Sequence, residues 1–380
     1  MIDIEPLFAP IALGGTILPN RFVLPGMQRG WCSDGAPTHL LTEYYRRRIA
    51  GGVGLIVSES VAIDHPSATQ SDSFARLDDR TAGGWGKCIS AVRQEGGKIF
   101  LQLWHEGGVR TEGGSGPLSH HPTLSPSGLA AATRPNGRAA TIEEIAAIRQ
   151  AFVQGAVLAQ EAGADGVEVH AAHGYLLDQF LWAATNRRKD EYGGSDIRNR
   201  VRLPAEIVAG IRAACGPDFP ISLRFSQWKE ADYAARVVDT PAELETMLAI
   251  LKAAGVSAIH ASTRRFWEPE WSESPLSLAG WCKRLSDIPV ITVGSVGLDT
   301  DVMESFQGKE PRAQVRKGVT ELLRRFSGGE FDMVSVGRSQ IADPEWVSKV
   351  HRLEFDRIRP FKRSDMRMSD SDVAAEARRF

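Results

Sequence analysis

The stretch Val290-Ile-Thr-Val-Gly294 has the composition of a short strand with apolar residues on both faces, and Met333-Val-Ser-Val-Gly337 repeats its pattern. Nearly continuous apolar runs of this length, rich in Val and Ile, are typical of parallel strands that are covered on both sides. Six further runs share these properties: residues 22–25, 54–58, 98–104, 166–171, 221–226 and 258–263. The sequence therefore predicts eight buried strands.

Helix signals separate these runs. Thr141-Ile-Glu-Glu144 is a capping box and predicts a helix that runs to Glu161. Thr240-Pro241 and Asp343-Pro344 predict the starts of two more helices, the first of which ends at Ala254-Gly255, because Pro is favoured at the first helical position and Gly just after the last one. Eight strands that alternate with helices predict an α/β fold, a closed (β/α)8 TIM barrel.

The barrel is expected to form a single domain over residues 1–360, followed by a charged C-terminal tail over residues 361–380. The longest irregular stretch, residues 105–140, is dense in Gly, Pro and Ser and follows the third strand. Loops after barrel strands lie over the C-terminal face, where active sites form. We therefore expect this loop to be a lid over the site, and a plain surface insertion is the alternative.

Charge and composition exclude several classes of protein. The 45 basic and 47 acidic residues give a net charge of −2, which disfavours nucleic acid as a partner. The sequence has no long uncharged apolar stretch and no basic N-terminal region, so neither a membrane span nor a signal peptide is expected. The four cysteines, Cys32, Cys88, Cys215 and Cys282, are scattered without metal-binding spacing, so we expect no metal site, no disulfide framework and a cytoplasmic location.

The fourth strand ends with His170, His173 and Tyr175. Two neutral imidazole N–H groups can hold one carbonyl oxygen and stabilise the charge that develops on it. A Tyr keeps its proton at neutral pH and can deliver it to a carbon that becomes basic. The alternative, a metal held by the two histidines, is weaker because the next carboxylate, Asp178, follows at no recognised spacing.

The last two strands end with Gly294-Ser295 and Gly337-Arg338. Barrels often bind phosphate here, because Gly lets the backbone approach a ligand and Arg adds charge. The alternative is that both glycines serve only the turns from strand to helix.

Two more polar residues stand on neighbouring strands. Gln102, at the end of the third strand, could bind a ligand edge that carries a carbonyl beside an N–H, or could be bonded only to backbone. Arg224, on the fifth strand, needs a negative partner, which could be a ligand anion or a fixed carboxylate.

With these residues in view, the sequence resembles the Old Yellow Enzyme family of FMN-dependent ene reductases, in the version with two histidines. The resemblance runs to about Pro360 and rests on four motifs: residues 20–29, residues 100–105, His170-Ala-Ala-His173-Gly-Tyr175-Leu-Leu-Asp-Gln-Phe, and Asn186-Arg-Arg-Lys-Asp-Glu-Tyr-Gly-Gly-Ser195 with Asn199-Arg200 close behind. It implies tightly but non-covalently bound FMN, NADH or NADPH as hydride donor, and an activated alkene of the enone type as substrate.

The resemblance also implies residue roles. His170 and His173 would hold the substrate carbonyl oxygen while hydride moves from the flavin N5 to the β-carbon, and Tyr175 would protonate the α-carbon. The implied cofactor residues are Gly26, Met27 and Gln28 along the isoalloxazine, Ser60 against it, Gln102 at the pyrimidine, Arg224 near N1 and O2, and Gly294, Ser295, Gly337 and Arg338 around the phosphate. The chain departs from the family pattern at Gln28, where Thr or Cys is usual, at Gly26 for Pro, and at Ser60 for Ala.

Two other functions remain compatible with the motifs. One is a flavin-free barrel isomerase or aldolase that acts on a phosphorylated substrate, and the other is a barrel that binds FMN or a partner without catalysis. The larger relatives, dienoyl-CoA reductases and amine dehydrogenases, add a cysteine cluster and further domains, so the length and cysteine content of this chain predict that it lies outside that branch. We expect a small-molecule substrate, no membrane partner, and either a monomer or a homodimer.

Overall fold

Eight parallel strands close into a barrel in the structure, a computed structural model that describes residues 3–114, 116–367, 369 and 372. In chain order the barrel strands are β1 (Phe22–Leu24), β2 (Leu55–Ala62), β3 (Ile99–Trp104), β4 (Gly166–His173), β5 (Ile221–Lys229), β6 (Ala258–Ser262), β7 (Val290–Val293) and β8 (Met333–Ser335). Strand β8 pairs with β1, and β1 pairs with β2, both in parallel, so that the sheet closes. The predicted TIM barrel is confirmed.

Helices surround the barrel and follow its strands. Those of the described residues are α1 (His39–Ala50), α2 (Ala82–Gln94), α3 (Ile142–Glu161), α4 (Leu176–Leu181), α5 (Ile197–Arg200), α6 (Arg202–Cys215), α7 (Pro241–Ala254), α8 (Leu278–Leu285), α9 (Val302–Phe306), α10 (Val315–Ser327), α11 (Arg338–Ala342) and α12 (Trp346–His351). Short strands and single turns complete this part of the chain: strands Ile11–Leu13, Thr16–Leu18, Cys32–Ser33, Ala36–Pro37, Ala75–Arg76, Leu124–Ser125, Leu129–Ala131, Arg134–Pro135 and Arg138–Ala139, and 3-10 turns Glu5–Leu7, Gly107–Val109, Phe355–Arg357 and Arg363–Arg367.

The helix starts follow the capping chemistry of the sequence in two of three cases. Helix α3 begins after Thr141, whose side chain accepts a hydrogen bond from the Glu144 N–H while the Glu144 carboxylate accepts one from the Thr141 N–H. Helix α7 begins at Pro241 and ends before a left-handed Gly255. The start predicted at Asp343-Pro344 is wrong. There the Asp343 carboxylate accepts from the Glu345 N–H and closes a turn first, so the helix begins at Trp346.

The amino-terminal end of the barrel is filled with apolar side chains. Leu13 and Leu18, from the hairpin Ile11–Leu13/Thr16–Leu18, pack in one buried cluster with interior residues of the strands, among them Phe100, Ile291 and Met333. Interior packing of this kind makes the barrel a solid core rather than a pore. Space for a ligand is therefore expected at the opposite end, where the strands have their carboxyl termini.

The loop over residues 105–140 is ordered by its own polar contacts. The buried Arg110 guanidinium donates to the carbonyl oxygens of Leu118 and His121, and the Asn136 amide donates to the carbonyl oxygens of Gly108 and Arg110. The strands Leu124–Ser125 and Arg138–Ala139 pair in parallel within it. The loop is thus a built element and not a loose surface insertion, apart from residue 115, which lies outside the described residues.

The chain after β8 folds back onto the barrel. Phe361 is buried with Leu298 and Ile341, and the Arg359 guanidinium forms an ion pair with Asp365 at 2.8 Å. Of the predicted tail, residues 361–367, 369 and 372 are described, and the rest lies outside the described residues.

All four cysteines are buried and free of disulfides, and burial raises the pKa of each thiol. Among the described residues, no three His, Cys, Asp or Glu side chains are grouped so that they could hold a metal ion. No helix in the same part of the chain has the length and apolar character that a membrane span requires.

Candidate functional site

A cavity of about 640 Å³ opens at the carboxyl ends of the strands. All but one of the residues singled out from the sequence line it: Gly26, Met27, Gln28, Ser60, His170, His173, Tyr175, Arg224, Gly294, Ser295, Gly337 and Arg338. Glu106 and Ala130 from the loop over residues 105–140 also contribute to its wall. The structure thus brings residues from both ends of the sequence together, and the loop lies where a lid would.

Gln102 is the exception and lies behind the wall. It is fully buried, and its amide oxygen accepts a hydrogen bond from Ser60 Oγ at 2.8 Å while its amide nitrogen donates to Glu168 at 2.8 Å. A Cβ atom added to Gly26 would lie only 2.7 Å from that nitrogen, so Gln102 sits directly beneath Gly26. The Gly at position 26 therefore leaves the amide separated from the cavity by backbone alone.

The two histidines lie side by side, with ring centroids 5.2 Å apart. Burial lowers the pKa of both imidazoles, that of His170 to about 3, so both rings are neutral at neutral pH. His170 Nδ1 accepts a hydrogen bond from the Ala172 N–H, which leaves the proton of the neutral ring on Nε2. His173 Nε2 lies 2.8 Å from Ser262 Oγ. The pair therefore presents neutral imidazoles, which can donate to an oxygen without bringing a charge.

Tyr175 lies beside this pair, with its ring centroid 5.1 Å from that of His170. Its ring also meets Trp104 edge to face at 5.2 Å. Burial raises the pKa of the Tyr175 hydroxyl above its ordinary value, and the nearby carboxylates of Glu230 and Glu106 raise it further. Tyr175 therefore keeps its proton throughout the neutral range and can act only as an acid there.

A buried polar network supports the floor of the cavity. Glu168 accepts hydrogen bonds from Gln102, from Ser222 Oγ at 3.0 Å and from His260 Nδ1 at 2.8 Å. Burial alone would raise the pKa of this carboxyl, but His260, Arg224 and Gln102 outweigh it and lower the pKa to about 2. Glu168 is therefore a fixed negative charge inside the barrel.

Arg224 is buried, lines the cavity and forms no ion pair with any residue that the structure describes. Its guanidinium donates to the Gly26 carbonyl oxygen at 3.2 Å and to Ser262 Oγ at 3.3 Å, and its Nε has no partner in the described part of the chain. No described carboxylate lies within 4 Å of it, and burial lowers its pKa. Of the two negative partners that the sequence left open, a contacting carboxylate is thus absent among the described residues.

Arg338 is held in the same way at the opposite side of the cavity. Its guanidinium donates to Ser295 Oγ, Ser305 Oγ and the carbonyl oxygens of Thr300 and Asp301, and no described carboxylate lies within 4 Å. Burial lowers its pKa to about 10, so it stays charged at neutral pH. Its charge is oriented but not neutralised, as an anion site requires.

Two glycines keep the backbone open beside Arg338. Gly294 has a φ of +146°, and a Cβ there would lie 2.7 Å from the Thr263 carbonyl oxygen. A Cβ on Gly337 would approach the Met27 sulfur to 3.1 Å. Helix α11 begins at Arg338, directly after Gly337. Gly294, Gly337 and Arg338 thus lie together in the cavity lining, with open backbone beside a charged side chain.

Gln28, one of the three departures from the family pattern, contacts a second buried carboxyl. Its amide nitrogen lies 3.5 Å from Glu59, which also accepts a hydrogen bond from the Arg29 N–H at 2.8 Å. Burial raises the pKa of Glu59 to about 7.

Sequence reasoning missed Glu59, the contact between Glu168 and His260, and a fully buried ion pair that Asp178 and Lys229 form at 2.7 Å. Each pair joins residues from different elements, so local spacing carries no signal for it.

Comparisons with known proteins agree with the fold and with the family that the motifs resemble. The model of the NADH:flavin oxidoreductase / NADH oxidase family matches residues 6–314. NADH oxidase of Thermoanaerobacter brockii is 37% identical in an alignment 372 residues long, which covers 94% of this chain and 52% of that protein. 12-oxophytodienoate reductase 7 of Oryza sativa subsp. japonica is 30% identical over 90% of this chain and 87% of its own. Morphinone reductase in complex with tetrahydroNAD superposes with a TM-score of 0.74 at 28% identity, covering 92% of this chain and 91% of its own.

The chain spans only 49–54% of the length of four relatives that it matches, among them the NADH oxidase. The prediction that it stands apart from a larger branch rested on length and cysteine content, and it did not anticipate this similarity to longer proteins. The matched family model covers more than half of the chain, and the identity to these relatives extends over at least nine-tenths of it. The chain is therefore a member of the NADH:flavin oxidoreductase / NADH oxidase family, the Old Yellow Enzyme family that its motifs resemble.

Proposed function

We propose that this protein holds FMN in the cavity and uses NADH or NADPH to reduce the C=C bond of α,β-unsaturated carbonyl compounds. The observation that carries the proposal is the cluster of two neutral histidines and a protonated Tyr175 in one cavity with two arginines that no described carboxylate contacts. The rice relative is named as a reductase of an oxo compound, 12-oxophytodienoate. The structure of morphinone reductase has been determined in complex with the nicotinamide analogue tetrahydroNAD. Both are consistent with this chemistry.

The residues of the cavity fit FMN. Arg338 and the backbone around Gly294 and Gly337 would hold the phosphate, since they offer a charge that no described carboxylate neutralises. Arg224, whose Nε has no partner among the described residues, would face the electron-rich edge of the flavin ring. Ser335 Oγ also lines the cavity and is buried without a partner among the described residues, as a ligand contact requires. Bound FMN would supply hydride transfer from NAD(P)H to the alkene.

The side chains of the chain would then orient and protonate the substrate. His170 and His173 would donate hydrogen bonds to the carbonyl oxygen, which makes the β-carbon electron-poor and stabilises charge on the oxygen. Tyr175 would donate its proton to the α-carbon and recover a proton from solvent. The aromatic wall that includes Trp104 would exclude water from the reacting atoms.

The test of this function is a spectrum followed by an assay. Purified protein incubated with FMN and desalted should retain the flavin absorption band. Under anaerobic conditions, it should also oxidise NADH or NADPH when a cyclic enone is added. Loss of all flavin on desalting would contradict the proposal and favour the flavin-free isomerase, to be tested with phosphorylated sugars. A retained band without enone-dependent oxidation would limit the protein to flavin binding.

Replacing Arg338 with Met should weaken FMN binding by about 10–100-fold, because a charge-assisted hydrogen bond contributes about 1.5–3 kcal/mol. The measurement is the dissociation constant from quenching of flavin fluorescence. Riboflavin, which lacks the phosphate, should bind the wild type and the variant equally. Arg352→Met, at an exposed arginine paired with Glu354, serves as the control and should leave FMN affinity unchanged. Equal FMN affinity in Arg338→Met and wild type would show that the phosphate does not bind at Arg338.

A further inference from the structure

The turn that carries the proposed proton donor has an unusual backbone. His173 has a φ of +66° and Gly174 a φ of +91°, so two successive residues lie in the left-handed region. This region costs a non-glycine residue free energy, and such a residue persists only where the surroundings hold it. Tyr175 follows directly and opens α4. The position of the Tyr175 hydroxyl therefore depends on what holds this turn.

A fully buried ion pair holds it. Asp178, in the first turn of α4, accepts a hydrogen bond from the Gly174 N–H at 2.6 Å through Oδ2. Its other oxygen, Oδ1, lies 2.7 Å from the Lys229 ammonium, and both side chains are completely shielded from solvent. A lone charge at this depth would be costly, so each member needs the other.

Lys229 connects the pair to the end of strand β5. Its ammonium also donates to the Ser226 carbonyl oxygen at 2.9 Å, and Ser226 Oγ accepts a hydrogen bond from the His173 N–H at 3.0 Å. In the strand register, His173 lies opposite Lys229. The turn is thus held at both of its left-handed residues, at His173 by Ser226 and at Gly174 by Asp178.

We propose that the Asp178–Lys229 ion pair positions Tyr175 for proton transfer to the substrate. This rests on the proposed function. Lys229 borders the cavity, but its side chain is completely shielded from solvent, so in this scheme the pair acts through the turn and not by contact with substrate or cofactor. An error of about 1 Å in the placement of a reacting group can cost about 100-fold in rate, so a turn that loses its anchor should slow the protonation step.

Two substrate types separate positioning from general stability. Reduction of an enone leaves charge on the carbonyl oxygen, and the α-carbon must take the Tyr175 proton to complete the product. Reduction of a nitroalkene leaves a nitronate, whose charge rests on the nitro oxygens, so its release needs no proton from Tyr175. Damage to the acid alone should therefore slow enone reduction and spare nitroalkene reduction.

The experiment compares Lys229→Met with wild-type holoenzyme on a cyclic enone and a nitroalkene of the same ring size. We expect enone reduction to fall by about tenfold or more relative to nitroalkene reduction, with the FMN dissociation constant unchanged. Lys98→Met is the matched control, because Lys98 forms an ion pair with Asp165 beside the amino end of β3, far from the cavity. It should change neither the rate ratio nor FMN binding.

The Asp178→Asn/Lys229→Met double variant covers the case in which a single unpaired charge prevents folding. It removes both charges and keeps a carbonyl oxygen that can accept from the Gly174 N–H. In a Tyr175→Phe background the substitution at Lys229 should have little further effect on enone reduction, because its target is already gone. If both substrates were reduced more slowly to the same extent, or if the effects of the Lys229 and Tyr175 substitutions on enone reduction were fully additive, the pair would have only a structural role. A wild-type protein that reduces neither substrate would instead reject the proposed function.

Discussion

Enone reduction by the Tyr175→Phe variant should be slower than in the wild type by about 10²–10⁴-fold, the range typical of a lost general acid. The substitution removes one oxygen, and the ring keeps its contacts with Trp104 and His170. Flavin reduction by NAD(P)H requires no proton from this residue, so its rate should stay close to that of the wild type. Stopped-flow absorbance at the flavin band, with each half of the cycle recorded separately, measures both.

The control for this variant is Tyr192→Phe, which removes a hydroxyl bonded to Glu206 and located outside the cavity lining. It should leave both half-reactions unchanged. An equal loss in both half-reactions of Tyr175→Phe would show that the hydroxyl serves binding or packing and not proton delivery. An unchanged rate of enone reduction would show that another group donates the proton.

The second large effect is expected from His170→Ala. Removing one preorganised donor to a developing oxyanion commonly costs about 10²–10³-fold in rate. The nicotinamide carboxamide also presents a carbonyl oxygen, so the same donors can hold it. We therefore expect both half-reactions to slow, in contrast to Tyr175→Phe. Binding of a saturated cyclic ketone, measured by calorimetry, should weaken in parallel.

His39→Ala provides the control, because His39 is exposed at the start of α1. It should bind the ketone as the wild type does. Retained ketone affinity in His170→Ala would contradict the role of this imidazole as an oxygen donor, even if the rate fell. A loss of FMN in the variant would instead point to a part in cofactor binding.

The barrel was predictable because each of its strands is covered on both faces and so leaves a local apolar run. The ends of the strands were not. The second run was bounded at residue 58, yet β2 continues through Glu59 and Ser60 to Ala62. The fourth and fifth strands likewise continue to His173 and Lys229. Polar side chains, some of them in the cavity lining and some in buried contacts behind it, interrupt the apolar pattern while the hydrogen-bonded strand continues.

The lining of the site was also largely predictable, because residues at the carboxyl ends of parallel strands meet at one face. The buried partners behind the lining were not. Glu168 and His260 are contributed by different strands, and Gln102 turns its amide to Glu168 because Ser60 supplies its other bond. Such contacts depend on three-dimensional packing, which residue spacing along one chain does not encode.

The four buried cysteines should make the native protein slow to react with thiol reagents. Each cysteine is buried, and burial raises the pKa of its thiol, so that the reactive thiolate is disfavoured. Cys88 lies on α2 and Cys282 on α8, helices associated with different strands of the ring. A buried thiol can be alkylated only when its segment unfolds locally. The alkylation rates at Cys88 and Cys282 should therefore report how often separate parts of the barrel unfold. A ligand that binds only the folded protein should lower these alkylation rates, and the decrease should grow with the fraction of protein that is occupied.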